Sequence, residues 1–386
     1  MSDLGYGSAA DYTINVVGSR YIATPRSGNT YIPPDTSLST LWDDINSAVT
    51  GPVVEFGRGD FTLDSTLVVT ANDTVIRGQG PQGTYIKNDS AIDTDMVEMS
   101  TYYHNFALRG LTLDGNRDNN TAGKGIYIDV ADATYGGGSI FWGWHAIEDI
   151  AITECDEDGF YIRTVAGLNT QGYMNNFRVW NNDGGTSSTQ GSFIRVFDYW
   201  IGGSGQNNIS SLRFNGGASN HINTVYFGGG GTKNLLMEGG LTDTSNGSIF
   251  TNNRFDHATQ NAVDITDNQK RHIFTGNVFT NFSQDGTTDT HPCINLDGDS
   301  GYISFVGNFF GHTNVITGDR WTNVMTEGGS TDYNYMQGNI LGQGAIKGGN
   351  AEHFTENASG QVDLGAGSNS LIQYNFKPGT GDWTTY

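Results

Sequence analysis

The chain has 386 residues, 36% of them hydrophobic, enough for a sizeable core in one large or two ordinary domains. It carries 41 acidic and 19 basic residues for a net charge of −22, and a field so negative repels phosphates and argues against DNA or RNA as partners. Its 55 glycines follow no triplet period, which excludes collagen, and no segment approaches the length of a membrane span, so membrane insertion is not expected.

Of the acids, 32 are Asp, and Lys (6) is rarer than Arg (13). Two explanations stand side by side: a solubilising surface, or a halophilic adaptation in which screening removes the repulsion between hydrated carboxylates. Cys155 and Cys293 lie far apart and form no disulfide framework, so two buried thiols are expected. The opening "MSDLGYGSAADY" has no basic region leading into an apolar run and does not read as a secretory signal. A chain made this way is expected to stay in the cytoplasm or to leave by another route, such as inside a virus particle.

In chain order, residues 1–38 read as an irregular attachment and linker segment around "TPRSGNTYIPPD". "SLSTLWDDINSAV" then predicts a short helix. Ser39 or Thr40 offers a cap, Leu41, Ile45 and Val49 recur at helical spacing, and Gly51-Pro52 ends the run. From Val53 onward, short stretches of β-branched and aromatic residues alternate with Gly, Asp and Asn, the mark of an all-β chain.

After residue 100 a repeat emerges. "GLTLDGN", "DIAITECDEDG", "NFRVWNNDGG" and "SLRFNGG" each end a strand in an amide or acid and then turn. Further on, Asn253, Asn277, Asn308 and Asn339 each precede an apolar residue by two, at steps of 24, 31 and 31. Such a period signals a solenoid or a propeller. Two or three short strands per period suit one rung of a parallel β-helix, and the Asn column suits an internal ladder of side-chain amides. The solenoid is expected over residues 39–350, with 351–386 closing its end.

The segment "LWDDINSAV…GPVVEFGRGDFTLDSTLVVTANDTVIRGQGPQGTYI", followed by "LRGLTLDGN", resembles the start of pectate-lyase-like right-handed parallel β-helix proteins. In that superfamily a short capping helix precedes a rung reading "fpxGxY", a "lxGxG" turn and a "xixGlxiDGn" rung. Here Ile45 to Val49, Phe56 to Phe61, Ile76 to Gly80 and Leu108 to Asn116 supply the pieces in that order. The resemblance implies a right-handed, single-stranded β-helix with an N-terminal capping helix. It says little about activity, because the fold hosts lyases, hydrolases, epimerases and non-enzymatic virion proteins. Viral tailspikes of this type are usually homotrimers with an N-terminal virion-binding part.

Aligning rungs on their apolar residues puts Leu111 beside Ile150 and Phe177, and Leu113 beside Ile152 and Val179. The same register stacks Glu154 on Asn181 and Asp156 on Asp183. Rungs are about 4.8 Å apart, so carboxylates in one column approach the separation that glycosidases use. Glu154, Asp156, Asp183 and Asp158 are therefore the candidate catalytic acids, against the alternative of an exposed acidic turn. Trp142, Trp144, Trp180 and Trp200 fall in the same stretch, as sugar-stacking platforms or as core and interface packing. Asp114, Asn116 and Asp118 have the D-x-N-x-D spacing of an oxygen-ligand loop for Ca²⁺ or another cation. Gly125 stands where an EF-hand has its Glu, and a turn alone also explains these residues. No cofactor is required. "NNRFDHA" shares Asp256 and His257 with the W-I-D-H rung of pectate lyases, but Arg254 and Phe255 replace its Trp and Ile, so His257 is read as a rung-turn residue.

Two roles follow. The first is a virion tail spike or receptor-binding protein, from a halophilic (haloarchaeal) virus. It would form a homotrimer, attach to other tail or capsid proteins, and recognise host surface polysaccharide or glycoprotein. The second is a secreted polysaccharide lyase or glycoside hydrolase unconnected with a virus.

Overall fold

The computed structural model describes residues 9–101, 103–130, 143–164, 170–180, 187–190, 193–201, 210–215, 221–228, 232–238, 247–266, 269–281, 291–298, 300–311, 325–327, 333–341, 371–373, 375–376 and 383–384. The chain forms two compact units, Met1–Tyr199 and Trp200–Tyr386. Both are built from short, mostly parallel strands, with one short α-helix in the first.

In the first unit a hairpin of β1 (Tyr12–Val17) and β2 (Arg20–Pro25) precedes helix α1 (Leu38–Ala48). Strand β1 also pairs in parallel with β3 (Val53–Phe56), so the segment expected to be irregular supplies a strand to the sheet. The signal was present in the alternation of "YTINVV" before Gly18, which adopts φ +65°. Helix α1 begins earlier than its apolar spacing suggested. Ser37, not Ser39 or Thr40, is the cap, and its hydroxyl accepts from the Thr40 amide at 3.0 Å. Leu38, Leu41, Trp42 and Ile45 are buried, whereas Val49 is the extended residue that ends the helix.

Parallel pairing then climbs from β3 through β6 (Val75–Arg77), β9 (Ala107–Asp114) and β11 (Gly143–Thr153) to β13 (Thr170–Trp180). Strands β4 (Gly59–Leu63) and β7 (Thr84–Asn88) run beside them and join β9. A second parallel sheet stacks β5 (Leu67–Val68), β8 (Val97–Met99), β10 (Ile126–Val130) and β12 (Phe160–Thr164). The register is the one read from the apolar columns: Leu111 pairs with Ile150 and Ile150 with Phe177, Leu113 with Ile152 and Ile152 with Val179. All six are buried.

The second unit repeats the scheme. Residues 249–251, 273–275, 304–306, 335–337 and 371–373 form one parallel series, and 254–256, 278–280, 309–311 and 340–341 form its neighbour. Between the two series runs the asparagine ladder. The Asn277 side-chain oxygen accepts from the Asn253 amide and side chain at 2.9 and 3.0 Å, while its nitrogen donates to Phe250 O and to Asn308 Oδ1, both at 3.0 Å. Both donors and both acceptors of the group are thereby used, which is what burial of a primary amide demands. Asn308 repeats the pattern toward Asn339. Either side of the ladder, Phe250, Phe274 and Phe305 stack at 4.5 and 4.6 Å, and Phe227, Phe255, Phe279 and Phe310 at 4.6 to 4.7 Å. Cys155 and Cys293 are buried thiols that form no disulfide, as expected.

Candidate functional site

The strands of the first unit turn alternate residues outward, and parallel register lines these up in columns. One column runs Tyr85, Thr112, Ala151, Arg178, and the next runs Lys87, Asp114, Thr153, Trp180. Bulky side chains stand at the ends, and Thr112, Ala151 and Thr153 leave a low floor between them. The result is a cleft of about 680 Å³, with Tyr85 at one end and Arg178 and Trp180 at the other. Arg58, Gln79 and Gln82 also line it.

The turn of residues 78–83 forms one wall and is held tightly. Gly78 N donates to Arg109 O at 2.8 Å, Gly80 N to Gly110 O at 2.7 Å, and the Thr112 hydroxyl to Pro81 O at 2.6 Å. A Cβ on Gly78 would sit 2.4 Å from Gly110 O, so only glycine lets the turn approach β9. The "lxGxG" turn thus shapes the cleft wall.

Tyr85 donates its hydroxyl to Asp114 Oδ2, and Asp114 Oδ1 accepts from the Asn116 amide at 2.7 Å. Burial, the Asp114 hydrogen bond and the negative charges of Asp114, Glu154 and Asp60 push the Tyr85 hydroxyl above the usual tyrosine range, so it keeps its proton. Asn116 adopts φ +56°, accepts from the Asn119 side chain at 2.9 Å and donates to Asn88 O at 3.0 Å. Asp118 lies in the short 3₁₀ turn that follows. The geometry of "DGNRD" is that of a side-chain-braced turn, with Asp114 also holding Tyr85. Among the described residues no group of three or more His, Cys, Asp or Glu is set to hold a metal ion.

The candidate acids sit one step beyond the cleft floor. Glu154 follows Thr153 with φ +53°, and its carboxylate is 3.1 Å from Arg117. Glu157 pairs with Lys124, whose ammonium lies over the Tyr127 ring at 5.1 Å. Burial lowers the Lys124 pKa, but the Glu157 hydrogen bond and the charges of Asp95, Glu157 and Asp158 outweigh it and raise the group above its ordinary value. Asp156 and Asp158 are half-buried on the same turn. None of these acids lines the cleft. Asp183 and Trp142 lie outside the described residues. Trp144 lies on β11 and Trp200 on the strand Phe193–Ile201, and among the described side chains Trp180 is the tryptophan placed in the cleft.

In the second unit, Asp256 is a buried hub. It accepts from Thr280, Asn281 and Tyr226 at 3.0, 2.8 and 3.1 Å, and pairs with Arg254 and His257 Nδ1, each at 2.9 Å. Burial raises its carboxyl pKa, but Asn281, His257, Thr280 and Arg254 together hold it below the usual carboxylate range. His257, at φ +55°, occupies a rung turn, as its sequence context suggested.

No protein-family model matches the chain, and no curated protein does. Solved structures do. The A-module of mannuronan C-5 epimerase AlgE4 of Azotobacter vinelandii aligns over 87% of this chain and 94% of its own, with 16% identity and a TM-score of 0.51. That of AlgE6 aligns over 88% and 94%, with 15% identity and a TM-score of 0.50. DFA-IIIase from Arthrobacter chlorophenolicus A6 aligns over 88% of each chain, with 12% identity and a TM-score of 0.51. At these identities the likeness is one of fold, and the fold is the parallel β-helix that the rungs suggested.

Proposed function

We propose that this chain recognises a cell-surface polysaccharide, held across the rungs of the first unit in the cleft between Tyr85 and Trp180. The cleft carries the reading. It pairs two aromatic faces with a fringe of donors, Arg58, Gln79, Gln82, Asn176 and Arg178, over a low floor. Sugar rings stack their C–H faces on aromatics and satisfy their hydroxyls with planar amide and guanidinium groups. The mannuronan C-5 epimerase modules that share the fold are named for a polysaccharide, which is in keeping with this use. The rungs are taken as a closed right-handed solenoid capped by α1.

The finer reading is a virion spike that binds host glycan, and it draws on the resemblance to pectate-lyase-like β-helix proteins, a fold that viral tailspikes also use. The other is a polysaccharide-cleaving enzyme. For that reading, Glu154, one residue beyond Thr153 of the cleft floor, with Asp156, Asp158 or Asp183, supplies the acid and base.

The test is binding of the purified chain to a panel of cell-surface polysaccharides, followed by an assay for new chain ends. Trp180→Ala and Arg178→Ala are each expected to weaken binding tenfold or more, with unchanged circular dichroism. Binding indifferent to both substitutions would overturn the cleft. New chain ends that vanish in Glu154→Gln establish cleavage, and binding without them leaves a recognition protein.

A further inference from the structure

We infer that Tyr302 and Tyr333 are a site of oxidative cross-linking, at which a carbon–carbon bond between their phenol rings ties two neighbouring rungs of the second unit together. The inference is independent of the glycan cleft, which lies in the first unit.

Register is the first observation. Ser304 pairs with Tyr335 and Phe305 with Met336, so Tyr302 and Tyr333 fall opposite one another two residues before those strands. The backbone is pinned beside them. The Ile303 amide donates to Asn334 Oδ1 at 3.0 Å, and the Tyr335 amide donates to Ile303 O at 2.8 Å. The two rings stack with centroids 4.9 Å apart and planes at 7°. The buried phenylalanine columns stack as closely, but they lack the hydroxyl that makes a ring easy to oxidise.

Access is the second observation. Tyr302 is 54% and Tyr333 49% exposed, so an oxidant in solution reaches both. Tyr127 and Tyr161 of the first unit make a poorer pair, 5.6 Å apart, tilted by 33° and half-buried.

The third observation is backbone strain. Arg271, Tyr302 and Tyr333 occupy one corner column at φ +63°, +56° and +60°, a region that costs any side chain energy and costs glycine none. The corner that follows the same strands has residues suited to it: Asn252, Gly276, Gly307 and Gly338, at φ +54° to +65°. Keeping two tyrosines at a corner where glycine would sit without strain points to a use for their rings.

In the cross-linking step each phenol gives up one electron and its hydroxyl proton and becomes a phenoxyl radical. The radicals couple between ring carbons ortho to the oxygens, and the hydrogens on those carbons move to the oxygens, which restores both phenols. One C–C bond forms, two C–H bonds are lost, and two protons and two electrons leave. Hydrogen peroxide, activated by a haem peroxidase, takes them up and becomes two waters. A rung of a solenoid is held by its neighbours alone, so the stack opens locally. Cys155 and Cys293 form no disulfide. A bond between Tyr302 and Tyr333 closes a loop across the 31-residue repeat and restricts the unfolded chain as a disulfide would.

The test is treatment of the full chain with hydrogen peroxide and a haem peroxidase, followed by tryptic mapping in a mass spectrometer. Arg320 lies between the two tyrosines. Trypsin therefore releases residues 272–320, whose sole tyrosine is Tyr302, and residues 321–347, which hold Tyr333 and Tyr335. The expected product is these two peptides joined, at their summed mass less two hydrogens, with dityrosine fluorescence and a rate per chain independent of protein concentration. Tyr302→Phe and Tyr333→Phe should each lower its yield at least tenfold with unchanged circular dichroism, and Tyr335→Phe should leave it unchanged. The linked chain should melt about 5 °C higher. Oxidation without the joined peptides, their persistence in Tyr333→Phe, links formed only between chains, or an unchanged melting temperature would each overturn the inference.

Discussion

His272 ties folding to pH through a single ring. It is fully buried, its Nδ1 accepts from the Ser248 amide at 2.9 Å, and burial pulls its pKa down to about 3. In the unfolded chain the ring titrates near its ordinary 6.5. Between those values the unfolded state holds one more proton than the folded state. Stability from this residue is therefore complete above pH 6.5 and falls by about 1.4 kcal/mol per pH unit as the solution is acidified toward pH 3. Urea unfolding at pH 7, 6 and 5 should show that slope, and His272→Gln should flatten it. Asn277 makes a second prediction at this scale. Asn277→Ala leaves the Asn253 backbone amide without its partner and takes a donor from Phe250 O, while Asn308 Oδ1 keeps the Asn277 backbone amide, so a loss of roughly 2–3 kcal/mol is expected in the same unfolding measurement. Asn277 belongs to a column that recurs along the chain and was legible for that reason, whereas the column of His272 reads Ser248, His272, Ile303, Asn334 and repeats nothing. The cleft was not legible. Its floor is a lack of bulk at Thr112 and Ala151, which the sequence separates by 39 positions and only register brings together.

Elements were legible where a period stated them. The rung register read from Leu111, Ile150 and Phe177 holds because inward positions admit only apolar side chains and a slip of one residue would turn them to solvent. Ends and edges were harder. Helix α1 gains its first turn from Leu38, buried ahead of the run that marked the helix, and so its cap lies at Ser37. Ser37→Ala should cost about 1 kcal/mol, read as a lowered melting temperature. The β1–β2 hairpin escaped notice because it sits beside "TPRSGNTYIPPD", whose Pro, Gly and Asn content reads as linker. Glu154 and its neighbour Glu157 were findable as part of an acidic cluster, but their cationic partners were not, since Arg117 and Lys124 come from the preceding rung.

At the scale of the molecule, charge sets the conditions under which the fold holds. A compact chain with 41 acids and 19 bases stores self-repulsion that unfolding relieves. Raising ionic strength shortens the screening length from about 8 Å at 0.15 M to about 3 Å at 1 M. The melting temperature should therefore rise between low salt and 1 M KCl, as scanning calorimetry can measure. A flat response would return the acids to the role of a solubilising coat and remove the case for a halophilic origin.

The asparagine ladder also makes length a free variable. Gly276–Asn277, Gly307–Asn308 and Gly338–Asn339 are the same junction repeated at intervals of 31 residues. Excising residues 277–307 joins Gly276 to Asn308 and presents Asn253 with the same amide partner that it had before. The shortened chain should fold with a cooperative melt and be one strand spacing, about 4.8 Å, shorter along the stack. Duplicating the segment should lengthen it by the same step. A chain with interchangeable seams can gain or lose reach in whole units without redesigning any contact, so its span is open to change by recombination, independently of the chemistry it carries.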